Sequence, residues 1–144
     1  LISLTEFWMG RDREFAHVLG TDVRANAART VDLTNELLAL ARADGVTLEV
    51  SPRTRSVVTS GWRPGAVNAA TPGAAVRSKH ITGQAVDLFD PDGDLDAWCL
   101  DQAELGGLGP LARLGLWLEH PAATKGWCHL QTVPPRSGRR VFYP

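Results

Sequence analysis

One long helical stretch ends at Gly45, and after it the pattern changes to mostly short β-prone runs. That switch constrains the fold more than any other feature. Between residues 21 and 44, Val23, Ala27, Val31, Leu37, Leu38 and Ala41 hold an approximate apolar stripe. Thr21 or Asp22 stands where a helix cap is wanted, and Arg24, Arg29 and Arg42 fall on the solvent side. Beyond Gly45 come short β-prone runs at Thr47–Val50, Ser56–Ser60, Ala85–Phe89, Leu114–Glu119 and Trp127–Val133, with a last short strand at Arg140–Tyr143. A shorter amphipathic helix at Leu4–Met9, with Thr5 as a weak start signal, is expected to bury Leu4, Phe7 and Trp8. The acidic turn 90–94 caps a further helix, Leu95–Leu105, which Gly106–Pro110 closes. The pattern predicts an α+β chain, a small antiparallel sheet with N-terminal helices packed on it. Its 144 residues, 1–144, fill one domain at the usual size of about 150.

Composition excludes several classes of function. Fifteen Lys and Arg against sixteen Asp and Glu leave a net charge of −1, so no overall positive field gathers nucleic acid or an anionic membrane. No apolar run approaches the ~20 residues that cross a bilayer, and the start LISLTEFWMGRDREF carries neither a basic leader nor a long apolar region, so no export signal is read there. Cys99 and Cys128 are too few for a disulfide scaffold and are expected as buried free thiols. Asp90, Asp92 and Asp94 alternate like the opening of a calcium loop, but the order and the closing acidic residue of such a loop are missing, which leaves a capped turn.

The chemistry concentrates in Ser78-Lys79-His80-Ile81-Thr82-Gly83-Gln84-Ala85-Val86-Asp87-Leu88. Asp87 falls inside an apolar strand, where a bare carboxylate is costly unless paired or metal-bound. His80 ends a Gly/Ala-rich loop, and Gly83 permits a tight turn that lets loop and strand converge on one cation. A second element, Gly126-Trp127-Cys128-His129-Leu130-Gln131, alternates so that Trp127, His129 and Gln131 share one face while Cys128 and Leu130 enter the core. Two imidazoles and one carboxylate suit Zn²⁺ and leave a fourth position for water, whose pKa then falls to about 7. His17 and His120 come singly and read as structural.

This set resembles the M15 family of zinc D,D-peptidases and murein endopeptidases, with a signature Ser-x-His-x-x-Gly-x-Ala-x-Asp and a downstream strand bearing Trp-x-His. Ser78, His80, Gly83, Ala85 and Asp87 match the first element, and Trp127 and His129 the second. Ser60-Gly61-Trp62-Arg63 is similar to an upstream family element whose Arg engages substrate near the scissile bond. The resemblance covers about residues 56–133. It implies zinc on His80, Asp87 and His129 in an open cleft, with peptidoglycan peptides as partners. The activity implied is that of an endopeptidase or D,D-carboxypeptidase, monomeric, acting on the bacterial wall in remodelling or, released from the cytoplasm, in phage lysis.

One departure matters. Many family members carry the general-base Glu three positions before the last zinc histidine, where this chain has Gly126. Glu119 is the replacement candidate. If 114–119 and 127–133 pair as a symmetric hairpin, Glu119 faces Trp127, Trp117 faces His129, and Glu119 lies diagonal to His129 on the metal side. A slip of one residue would turn His120 inward instead. Arg63 would stabilise an oxyanion or clamp a carboxylate; Ser78 and Gln84 are candidates for substrate or ligand hydrogen bonds, and Trp127 for a pocket wall. Arg136, Arg139 and Arg140 form a small basic cluster, read as solvated. Two competing readings remain: a non-catalytic zinc-containing module that binds wall peptides or a protein, and a zinc hydrolase for a small dipeptide, which would need a closed pocket.

Overall fold

In the computed structural model, which describes Leu1–Pro144, every second residue of three adjacent strands turns to one face of a sheet and the rest turn to the core. Five strands form it: β1 (Val58–Ser60), β2 (Ala85–Asp90), β3 (Trp117–Glu119), β4 (Gly126–Gln131) and β5 (Val141–Phe142), in the order β1-β2-β4-β3-β5. Val86 pairs with Leu130, Leu88 with Cys128, and Leu118 with Leu130. All five side chains are fully buried. Against them packs the long helix α3 (Thr21–Ala43), whose Ala27, Val31, Leu37, Leu38 and Ala41 join the same core. The chain is α+β, as its pattern implies.

The sheet is mixed, not antiparallel as expected. β5 runs parallel to β3, with Leu118 opposite Val141 and Glu119 opposite Phe142. A loop of proline, serine and glycine brings the tail back to the open edge of β3, where the amides of Leu118 and His120 donate to Arg140 and Phe142 carbonyls. Thr47–Val50 forms no strand; this exposed segment has no partner edge, because β1 gives its free edge to none. Leu114 belongs to helix α6 (Pro110–Leu114), which stops at Gly115 in the left-handed region (φ 68°), so β3 begins only at Trp117.

The N-terminal elements also differ in detail. α1 (Leu4–Trp8) is started by Ser3, whose hydroxyl accepts from the Glu6 amide while Glu6 returns a bond to the Ser3 amide. Phe7 and Trp8 are buried, but Leu4 is exposed. α2 (Arg11–Glu14) follows at once. α3 starts after Gly20 without a side-chain cap, so neither Thr21 nor Asp22 performs that task. After the short α4 (Gly65–Ala70), α5 (Asp94–Ala103) is capped from the acidic turn as expected: the Asp90 carboxylate accepts from the Leu95 and Asp96 amides at 3.1 and 2.8 Å.

Candidate metal centre

The three outer-facing residues of β2, β4 and β3 line up across the sheet. Asp87 is the Cα partner of His129, and the register Trp117–Gln131, Leu118–Leu130 carries Glu119 opposite His129. The expected hairpin register is therefore corrected by two residues: Trp117 faces Gln131 instead of His129. The cause lies in the connection. Pro121–Ala123 form a 3₁₀ turn, and the Thr124 hydroxyl is tied to Asp96 at 3.0 Å, so the chain re-enters β4 late. A shift of two preserves the face, and Glu119 stays beside His129, with Oε2 3.8 Å from Nδ1.

His80 reaches this row from the loop before β2. Its Nε2 lies 3.2 Å from Asp87 Oδ2, and His129 Nδ1 lies 2.7 Å from Asp87 Oδ1. One donor atom from each of His80, Asp87 and His129 falls within 4.8 Å of the others, so the cluster could hold a metal ion. The outer nitrogens are also fixed. His80 Nδ1 sits 2.7 Å from the Gly61 carbonyl, which can only accept, so this nitrogen carries the proton and Nε2 presents its lone pair inward. That buried Nε2 has no hydrogen-bond partner, as suits a ligand atom. His129 Nε2 faces Gln131 Oε1 at 3.2 Å, while Gln131 Nε2 donates to the Val133 carbonyl. This leaves His129 Nδ1 for the centre. The donor set fits a divalent ion.

Electrostatics follow burial and pairing. Burial would raise the Asp87 carboxyl, yet the adjoining His80 imidazole and the hydrogen bond from His129 hold it far below the usual carboxylate range. Burial presses the His80 imidazole below its ordinary pKa despite Asp87. At His129 burial is outweighed by Asp87 and Glu119, and the pKa is raised. Burial lifts Glu119 above an ordinary glutamate, with His129 opposing and Asp87 adding to the rise. A carboxylate tuned upward beside the His129 imidazole suits proton transfer.

The remaining predicted residues divide. Ser78 lies next to the centre: its hydroxyl accepts from the Arg63 Nη2 and from the His80 amide, both at 3.2 Å, and the Arg63 amide donates to the His80 carbonyl. Arg63 is near enough for Asp87 to favour its charge. Trp127 shares the His129 face and is 37% exposed. Gln84 is turned away, its side-chain carbonyl accepting from the Thr82 hydroxyl. His120 also looks elsewhere, taking the Ala122 amide on Nδ1 and stacking on Tyr143 with ring centroids 4.5 Å apart. The two surface depressions that stand out, about 490 Å³ beside Leu1 and Val46 and about 390 Å³ beside Met9 and Arg53, include none of the three ligands.

Sequence reasoning gave no role to Gln131, although its position two residues past His129 is the signal for it. The Gly61 carbonyl had no such signal. It is set by α1: the Trp62 amide donates to the Phe7 carbonyl at 3.1 Å, and a Cβ on Gly61 would collide with that same carbonyl. α3 pins the other side of the loop, with the Thr30 hydroxyl donating to the Gly83 carbonyl and Asn26 to that of Thr82. The chain matches no protein-family model, no curated protein and no solved structure.

Proposed function

We propose that this chain is a zinc-dependent peptidase that hydrolyses stem or cross-link peptides of peptidoglycan, as its resemblance to the M15 family implies. The observation that carries the reading is the convergence of His80 Nε2, Asp87 and His129 Nδ1 with a fourth group, Glu119, 3.8 Å from His129. His80, Asp87 and His129 would hold the ion, with Gly61 and Gln131 fixing the two imidazoles. Zinc, when bound, supplies Lewis-acid polarisation of a carbonyl and acidifies water to a pKa of about 7. Glu119 accepts the proton of the attacking water and returns it to the departing amine, a role its raised pKa favours. Arg63, held by Ser78, offers its guanidinium to the developing oxyanion. The small exposed parts of the Asp87 and Glu119 side chains, with the exposed Trp127, mark the side from which a peptide would enter an open cleft.

A second reading is favoured by Gly126, which stands where the family carries its general base. A zinc-containing module without that base would bind wall peptides or a protein and cleave nothing. Incubating the zinc-loaded chain with purified muropeptides and following products by mass spectrometry separates the two. Cleavage that disappears in Glu119→Gln supports the peptidase. Calorimetric binding with no product over prolonged incubation supports the module.

A further inference from the structure

Three guanidinium groups gather on one short run of backbone beside the metal ligands. Arg53 Nη2 donates to the Thr59 carbonyl at 2.8 Å, Arg11 Nη1 donates to the Trp62 carbonyl at 2.8 Å, and Arg63 follows directly in the chain. This run passes the centre itself, because Ser60 is the β1 partner of Asp87 and the Gly61 carbonyl holds His80. The three arginines come from separate parts of the chain: α2, the turn before β1, and the segment after it.

No carboxylate forms an ion-pair contact with any of them, although Asp87 favours the charge of Arg63 from a distance. Every ion-pair contact in the chain lies among His80, Asp87, His129 and Glu119. The nearby Glu6 carboxylate is already taken by the hydroxyls of Ser3 and Ser56. The Arg63 Nε is buried without any partner. Burial and the positive charges of Arg63 and Arg53 lower the Arg11 pKa, with only Glu14 opposing. Like charges held together without an ion-pair partner, with Arg11 and Arg63 partly buried, are costly unless something anionic joins them. Guanidinium groups match carboxylates through paired N–H donors, which makes a carboxylate the fitting ligand.

We infer that Arg11 and Arg53 form a carboxylate-binding subsite beside Arg63 and the metal centre, so that the preferred peptide carries a free carboxylate on the α1–α2 side. The inference rests on the peptidase reading for its substrate. Arg11 and Arg53 act here as specificity residues, and Arg11 gives the N-terminal helices a role in recognition besides bracing Gly61.

The test uses the zinc-loaded full chain and its Arg11→Gln, Arg53→Gln and Arg11→Lys forms. Each is titrated calorimetrically with a synthetic stem pentapeptide of peptidoglycan, with the same peptide amidated at its C-terminus, and with one amidated at its side-chain carboxyl. Thermal unfolding confirms that each variant is folded, and mass spectrometry follows cleavage in parallel. The native chain should prefer the free acid over one of the two amides by roughly 10- to 100-fold; which amide loses affinity identifies the terminal or side-chain source. Arg11→Gln and Arg53→Gln should each reduce that preference several-fold, and Arg11→Lys should keep part of it. Equal affinity for acid and amides in the native chain overturns the subsite even if the peptide is cleaved. So does an Arg11→Gln form that weakens acid and amides alike, as loss of a merely structural contact would. A preference that collapses in the variants while no peptide is ever cleaved keeps the subsite and rejects the peptidase. An absence of both binding and cleavage rejects both.

Discussion

Glu119 Oε2 lies 3.8 Å from His129 Nδ1, across the β3–β4 pairing and on the face that also carries Asp87. The group that could serve as general base thus comes from the neighbouring strand instead of from the strand of the histidine. Gly126, at the position where a base would be sought, opens β4 in the left-handed region with φ 102°.

Replacing Glu119 with Gln tests this directly. The amide keeps the shape but cannot take a proton, so turnover of wall peptides should fall by about 100- to 10,000-fold. Zinc content, measured by mass spectrometry of the intact chain, should stay at the native level. Loss of zinc along with turnover would make Glu119 a ligand and not a base.

Gly61→Ala should reach the centre from outside it. A methyl group at Gly61 pushes on the Phe7 carbonyl, displaces the carbonyl that holds His80, and should cost about 1–3 kcal/mol of stability. Zinc affinity, read by competition with a chelating dye, should drop about 10- to 100-fold. Gln131→Leu should weaken zinc to a similar degree with no backbone strain, since it removes the group that orients His129. Native affinity in both variants would show that the outer partners do not position the imidazoles.

Asp96 predicts the pH dependence of stability. Its carboxyl is buried, one oxygen accepts from Thr124 and the other has no partner, and burial pushes its pKa up to about 6 from an ordinary 3.8. Between these values the unfolded chain has lost the proton that the folded chain keeps, so stability falls as pH rises from about 4 to about 6 and is flat for this group above that. The whole fall is at most ~3 kcal/mol. Denaturant midpoints measured from pH 4 to pH 8 should show it in the native chain, and Asp96→Asn should remove the slope. An unchanged slope in the variant would assign it to other groups.

Much of this centre was legible in the sequence because strand alternation is a strong constraint. Asp87 between Val86 and Leu88, and His129 between Cys128 and Leu130, could share the outer face only if the flanking apolar residues entered the core, as they do. The β3–β4 register was not legible, since a 3₁₀ turn and the Thr124–Asp96 bond lengthen a connection that looks like a simple hairpin. Glu119 kept its face because the error was an even number. The parallel β5 depends on where a remote tail finds a free edge, and the Phe7–Gly61 contact depends on packing between segments more than fifty residues apart. Neither leaves a local pattern. Gln84 and His120 looked available from position alone, but each side chain satisfies itself within its own turn or against a neighbour.

The central claim is that His80, Asp87 and His129 form one metal site. Equilibrium dialysis against zinc, followed by elemental analysis, tests it most directly. The native chain should retain one zinc per molecule at neutral pH, and His80→Ala, Asp87→Ala and His129→Ala should each lose it. Retention should weaken as pH falls, because protons compete at His129, whose proton affinity Asp87 raises. A native chain that retains no zinc, or alanine variants that retain it as well as the native chain does, would contradict the account.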